Sequence, residues 1–369
     1  MALYIGLMSG TSVDAIDAAL VDISQQNIQV IASGSTPVPP LIREQVIHLF
    51  IDGENEIDRM GDLDCRLGQL FAEAANSLLS KHAISNKEII AIGSHGQTIR
   101  HRPRPHQGNP FTVQIGDPNT IAELTQITTV ADFRRRDMAC GGQGAPLAPA
   151  FHQAAFASES ANRAILNIGG IANVTLLKPG EKTQGYDIGP GNGLMDAWIQ
   201  RSLQRSYDAD GAWAASGSIH PELLNSLLQH PYFALTAPKS TGREEFTLSW
   251  LEQQLTAITI NDVDVQATLA EFCAFEIARQ LGGVSNLEEL YVCGGGVHNQ
   301  HLMQRLQQQL PHLQIQTTAA LGVPADDVEA AAFAWLAQQT LNHLPGNLKS
   351  VTGAHKNTIL GGIYPAGIG

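Results

Sequence analysis

The sequence predicts an α/β protein assembled from two copies of one βββαβα unit, and three observations carry that expectation. Short aliphatic and β-branched runs ending on glycine recur along the chain, which holds 35 glycines in 369 residues. Stretches with apolar residues at helical spacing alternate with these runs. The order of elements that opens the chain then starts again at Arg163.

In the first copy, Ala2–Met8 reads as a buried strand, Ser9–Ser12 as a polar turn, and Ala15–Ile23 as the second arm of a hairpin. Ile28–Ser33 is a third strand, ended by the Pro-rich 36–40 stretch. Leu41–Phe50 and Leu67–His82 have helical spacing, and Glu88–Ser94 returns to strand character. Residues 95–110 read as a loop, followed by the strand Phe111–Ile115, a helix from Pro118 capped by Asp117, and the strand Thr128–Asp132.

The second copy repeats three short strands, Ala164–Ile168, Asn173–Leu177 and Gly185–Ile188, then a helix, Gly193–Leu203. Laid side by side, LYIGLMSGTSVDAIDAALVDI and AILNIGGIANVTLLK share pattern more than identity. A polar insertion near 209–243 interrupts the copy, which resumes with the helix Val265–Leu281 and the strand Glu289–Cys293. The helix Gln300–Leu310, the strand Leu313–Thr317 and a strong last helix, Asp326–Asn342, complete it. Two domains are expected, 1–160 and 161–369, with the apolar tail ILGGIY docking back on the core.

Composition excludes several classes of function. With 43% hydrophobic and 15% charged residues the chain has ample core, and 22 Lys and Arg against 35 Asp and Glu leave a net charge of −13. That balance opposes nucleic acid and anionic membranes as partners and favours small ligands or proteins. The cysteines, Cys65, Cys140, Cys273 and Cys293, lack metal-ligand spacing and fit buried packing in a reducing compartment. No basic n-region opens the chain and no apolar run reaches about 18 residues, so a soluble cytoplasmic protein is expected.

Backbone N–H groups converge on a polyphosphate only where no Cβ blocks the approach, so strand-terminating glycines are candidate phosphate sites. Four turns qualify: 9–12, Gly169-Gly170, 189–193 and 294–296. A tight hairpin explains any one of them equally well, but paired turns at the start of two repeats can clamp a triphosphate from both sides. No Walker motif is present, and no Rossmann fingerprint follows the first strand.

These features resemble the sugar kinase and actin-like ATPase superfamily, which implies a duplicated actin-like (ribonuclease H-like) α/β fold with two lobes around an ATP cleft. The resemblance implies ATP contacts from Gly10, Thr11, Ser12, Val13, Asp14, Ala15, Ile16 and Asp17 in the first phosphate loop. It places Gly169, Gly170 and Asn173 in the second loop and Gly294, Gly295 and Gly296 at the adenosine. Where the superfamily commonly has acidic residues, this chain has Ile5 and Gly6 before the first loop and Asn167 before the second.

The motifs GLMSGTSVDAID, SHGQT, VQIGD, ADFRRRDMACGGQGAPL, LNIGGIANVT, DIGPGN, CGGGVHN and DDVEA, spanning Gly6 to Ala330, together resemble the 1,6-anhydro-N-acetylmuramic acid kinases. That resemblance implies a cytoplasmic homodimer of peptidoglycan recycling. ATP, Mg2+, water and the anhydro-sugar would give N-acetylmuramic acid 6-phosphate and ADP.

A carboxylate is the natural general base for the water that opens the bridge. Asp187 ends a strand before Gly189-Pro190-Gly191, where an Asx turn is the plain alternative, and the resemblance makes it the base. Glu329 suits a helix N-terminus, and the resemblance faces it toward the sugar as a second carboxylate. Mg2+ would be reached through water by Asp14 or Asp17. The run Arg134, Arg135, Arg136 offers a guanidinium to the lactyl carboxylate, with the resemblance favouring Arg134. Gln97 and Thr98 are implied sugar contacts, and the role of His95 stays open. Closure of the lobes about a hinge near 150–162 is a further expectation. The alternatives are an ordinary hexose or amino-sugar kinase of this fold, an actin-like ATP-binding assembly protein, and, more weakly, a glycosidase.

Overall fold

The computed structural model describes residues 1–24, 27–105, 108–237, 239–242 and 245–367. In chain order its strands are β1 Leu3–Met8, β2 Ala15–Ser24, β3 Asn27–Pro37, β4 Ile89–Ser94, β5 Gln97–Arg102, β6 Phe111–Ile115 and β7 Thr129–Ala131. They continue as β8 Arg163–Ile168, β9 Ile171–Leu177, β10 Gln184–Pro190, β11 Glu289–Cys293, β12 Gln314–Thr317 and β13 Gly362–Tyr364.

One unit comprises Met1–Ala155 and Asp327–Gly369, the other Phe156–Asp326. The expected second domain, 161–369, is therefore corrected at its C-terminal end. The last long helix, Val328–Leu341, packs on β1, β2 and β4, and β13 pairs antiparallel with β7, so both belong to the N-terminal unit.

The first unit's sheet has the order β13-β7-β4-β1-β2-β3, with β1–β2 and β2–β3 antiparallel and β1–β4 and β4–β7 parallel. The second unit's sheet runs β10-β9-β8-β11-β12 with the same senses in the same order. The duplication read from pattern is thus a duplication of topology.

The helix Val328–Leu341 is buried on nearly every side, which accounts for its alanines. Two adjacent strand glycines let it come so near: Gly6 pairs with Gly93, and a Cβ on either would collide with the Ala330 or Phe333 carbonyl. At Gly6, helix contact is the physical reason a side chain is excluded.

Three expectations are revised. The 95–110 loop contains β5, which pairs with β6 as a separate two-stranded ribbon. The second helix begins at Glu56, since Leu63, Leu67, Phe71, Ala74, Ala75 and Leu78 continue one buried stripe. The 209–243 insertion is largely helical, with Leu223, Leu227, Tyr232 and Phe233 in the core of its unit. Arg243 lies outside the described residues. Asp117 caps the helix Pro118–Thr125 as expected, accepting from the Asn119 and Thr120 amides.

Candidate functional site

In the first unit, the β1–β2 turn holds its shape through a strained residue. Val13, fully buried, sits at φ 54°, a left-handed conformation that a β-branched side chain adopts at a cost of about 1–3 kcal/mol. Its amide donates to the Gly10 carbonyl at 3.2 Å, and Ser12 Oγ donates to Asp14 Oδ1 at 2.6 Å. Around Gly10 there is open space, with the nearest atom to an added Cβ at 4.0 Å. Ser9 Oγ donates to Gln97 Oε1 at 2.8 Å, and Gln97 Nε2 donates to the Thr98 carbonyl at 3.1 Å. Gln97 is only 1% exposed, and its amide ties down the turn. Thr98 Oγ1 accepts from Gln114 at 3.0 Å.

The arginine run resolves into one inward and two outward residues. Arg135 is exposed and paired with Asp132 at 2.7 Å, and Arg136 is exposed. Arg134 is half-buried and held on two sides. Its Nε and Nη2 lie 3.0 and 2.9 Å from His95 Nε2, and Nη1 donates to the Gly144 carbonyl at 2.8 Å. Burial lowers the Arg134 pKa to about 10, with Glu329 and Asp137 acting in the opposite sense.

Glu329 follows the start of its helix, in the first turn. Its side chain is exposed to solvent, yet protein atoms crowd round the carboxyl and this partial desolvation raises its pKa; Arg134 lowers it and Asp17 raises it further. The structure therefore brings Asp17, Arg134 and Glu329 within electrostatic reach of one another.

In the second unit, Asn167, Asn173 and Asp187 are cross-strand neighbours on β8, β9 and β10, and so point to one face as a polar row. A bulge follows Asp187 on β10, a device that re-aims side chains. Since β10 is an edge strand, the outward backbone groups of Asp187 need partners, and the insertion supplies them. The Asp187 amide donates to the Lys239 carbonyl at 3.0 Å, and Tyr232 Oη donates to the Asp187 carbonyl at 2.7 Å. The Thr241 amide donates to Asp187 Oδ2 at 3.0 Å. Burial raises the Asp187 pKa to about 6, and the Thr241 hydrogen bond only partly offsets it.

The glycine turns divide by duty. The amides of Gly191, Asn192 and Gly193 donate to the carbonyls of Gly169 and Gly170 at 2.7–3.1 Å, so the 189–193 turn is a brace for 169–170 and its donors are spent. In the 294–296 turn, Gly294 and Gly296 are packed too tightly for a Cβ, against Asn167 and Ile168, whereas Gly295 has open space. Gly295 lines a cavity of about 330 Å³ whose other walls include Asn192, Asp196, Tyr207, Asp208 and His298. Of these walls Asn192, Gly295 and His298 lie in motifs legible in the sequence, whereas Asp196, Tyr207 and Asp208 are scattered polar residues whose meaning depends on folding. Contrary to the expected buried packing, Cys65 is exposed and Cys140 half-buried. Among the described residues no helix is long and apolar enough to cross a membrane, and no cluster of three or more metal-ligating side chains is found.

The family model for anhydro-N-acetylmuramic acid kinase matches residues 2–366. The chain belongs to that family. The anhydro-N-acetylmuramic acid kinase of Shewanella baltica (strain OS223) is 54% identical over 368 residues, 99% of each chain. Its counterpart in Saccharophagus degradans is 52% identical over 366 residues, covering 98% of this chain and 99% of that one. Among solved structures, Acidaminococcus fermentans (R)-2-hydroxyglutaryl-CoA dehydratase component A aligns over 90% of this chain and 96% of that one. Its TM-score is 0.47 and its identity 12%. Within the family, this member presents an acidic side chain on a bulged edge strand and an arginine fixed by a histidine.

Proposed function

We propose that this chain is a cytoplasmic homodimeric kinase that opens 1,6-anhydro-N-acetylmuramic acid with water and phosphorylates O6 from ATP. The observation that carries the reading is Asp187, a half-buried carboxylate with a pKa near 6 and a single amide on Oδ2, able to take a proton near neutral pH. Asp187 removes a proton from water, whose oxygen bonds to the anomeric carbon as the bond from that carbon to O6 breaks. O6 then bonds to the γ-phosphorus as ADP leaves, and one proton is released overall.

Glu329 positions the sugar and its water, and Thr98 lines the sugar pocket. Arg134 pairs with the lactyl carboxylate, which a guanidinium recognises by charge and by paired N–H bonds. The segments Gly10–Asp17, Gly169-Gly170 with Asn173, and 294–296 hold ATP, with adenosine in the cavity beside Gly295. Mg2+ fits this arrangement: Asp17 and Glu329 repel one another, and a cation would relieve that repulsion. The ion would be held by phosphate oxygens, water and Asp14 or Asp17, and when bound it would neutralise charge on the transferring phosphate.

The test is turnover of ATP and the anhydro-sugar in 18O-labelled water. Label at the anomeric carbon of the phosphorylated product is expected. Product without label would instead mean plain phosphorylation of a free hydroxyl, as in an ordinary hexose kinase. Sedimentation should give one defined dimer with ATP, and ATP-dependent filaments would overturn that part of the reading.

A further inference from the structure

His95 is buried, 5% exposed, with its ring 4.7 Å from that of Phe333. Arg134 donates to its Nε2, so the imidazole is an acceptor there and carries its proton on Nδ1. Burial and the adjacent guanidinium hold its pKa well below the usual histidine range, which keeps it neutral.

Arg134's second anchor, the Gly144 carbonyl, is likewise uncharged. Gly144 is itself fixed, because its amide donates to Asp137 Oδ2 at 2.8 Å. Asp137, fully buried, also accepts from Asn347 Nδ2 at 2.6 Å and Thr352 Oγ1 at 2.7 Å, tying the loop to the C-terminal tail. Both direct anchors of the guanidinium are therefore neutral. Glu329 and Asp137 act on it through space, with no hydrogen bond to it among the described residues.

This is an unusual way to hold an arginine. A carboxylate anchor would orient it more strongly but would cancel its charge and compete with any incoming anion. Neutral anchors on two sides orient the group, engage three of its five N–H bonds, and leave two N–H bonds and the charge for a ligand.

We propose that His95 is a positioning residue whose neutral imidazole presets Arg134 as a carboxylate reader, so that His95 governs discrimination between anhydro-sugars with and without a carboxylate arm. This rests on the sugar-kinase reading above.

The experiment compares kcat/KM for 1,6-anhydro-N-acetylmuramic acid and for 1,6-anhydro-N-acetylglucosamine, which lacks the lactyl arm, in wild type, His95→Phe and His95→Gln. In His95→Phe, which keeps an aromatic ring and removes the acceptor, the preference for the carboxylate-bearing sugar should shrink roughly tenfold or more. In His95→Gln, whose amide oxygen can accept, most of the preference should return. His95→Asn, too short to reach Arg134, replaces the Phe variant if that one does not fold. A wild-type preference left intact in His95→Phe, or both sugars failing in equal proportion, would overturn the proposal while leaving the kinase reading standing. Wild-type enzyme that turns over neither sugar would sink both.

Discussion

Ser35 and Asp187 occupy the same place in the two copies of the fold. Each lies on the third strand, at the sheet edge, directly beside the polar residue of the second strand: Asp17 beside Ser35, and Asn173 beside Asp187. Ser35 is exposed. Asp187 is covered by the segment containing Tyr232, Lys239 and Thr241, which pairs with its backbone and removes water from its carboxylate. The duplication supplies the frame in both places, and an insertion in one copy covers a carboxylate at that edge position. Burial with a single hydrogen bond to the side chain raises a carboxylate's pKa, whereas exposure leaves solvent to stabilise the charge.

The sharpest way to break this comparison is Asp187→Asn, which keeps the shape and removes the base. Turnover should fall by about 10³-fold while ATP affinity is retained, measured by steady-state kinetics and nucleotide titration. The wild-type kcat/KM should rise with pH through a midpoint near 6, because the base works only when ionised and that is where Asp187 titrates. A flat profile across that range would remove Asp187 from the role.

Next in size is Arg134→Ala, for which kcat/KM with the lactyl-bearing sugar should drop on the order of 100-fold. Arg135→Ala, already paired outward with Asp132, serves as the control.

The glycines allow a finer cut. Gly295→Ala meets no atom within 4 Å, so its thermal stability should stay within about 0.5 kcal/mol while ATP affinity falls about tenfold. Gly6→Ala should instead lose roughly 3 kcal/mol of stability, because the added methyl collides with the helix carbonyl at Ala330. Equal losses of stability in the two variants would refute the division between ligand-facing and packing glycines.

The smallest expected effect is at Tyr232→Phe. Losing the hydroxyl leaves the Asp187 carbonyl without its side-chain donor, at about 1 kcal/mol, and should lower kcat roughly fivefold with ATP affinity little changed.

Much of this was legible in advance because the relevant signals are local. Glycine after a β-branched run marks a strand end whatever the fold, and the helix Gly193–Leu203 and the strands β6 and β11 fall where periodicity puts them. The DIGPGN and RRRD motifs likewise drew attention to Asp187 and Arg134. Tyr232 and Thr241 could not be found that way, since they lie 45 and 54 positions from Asp187 and reach it through a hydroxyl and a main-chain amide. The burial of Gln97 against Ser9 likewise depends on where β5 pairs.

By itself the sequence determined the repeat, the strand-ending turns and which residue types were available, because these follow from short-range sterics and periodicity. Only the tertiary structure decided that Gly6 is a packing residue, that the tail from 327 joins the first unit, and that His95 and not a carboxylate anchors Arg134. Solvation and hydrogen-bond partners come from groups distant in the chain, and they set whether a given Asp, Arg or His is charged, neutral or free to act.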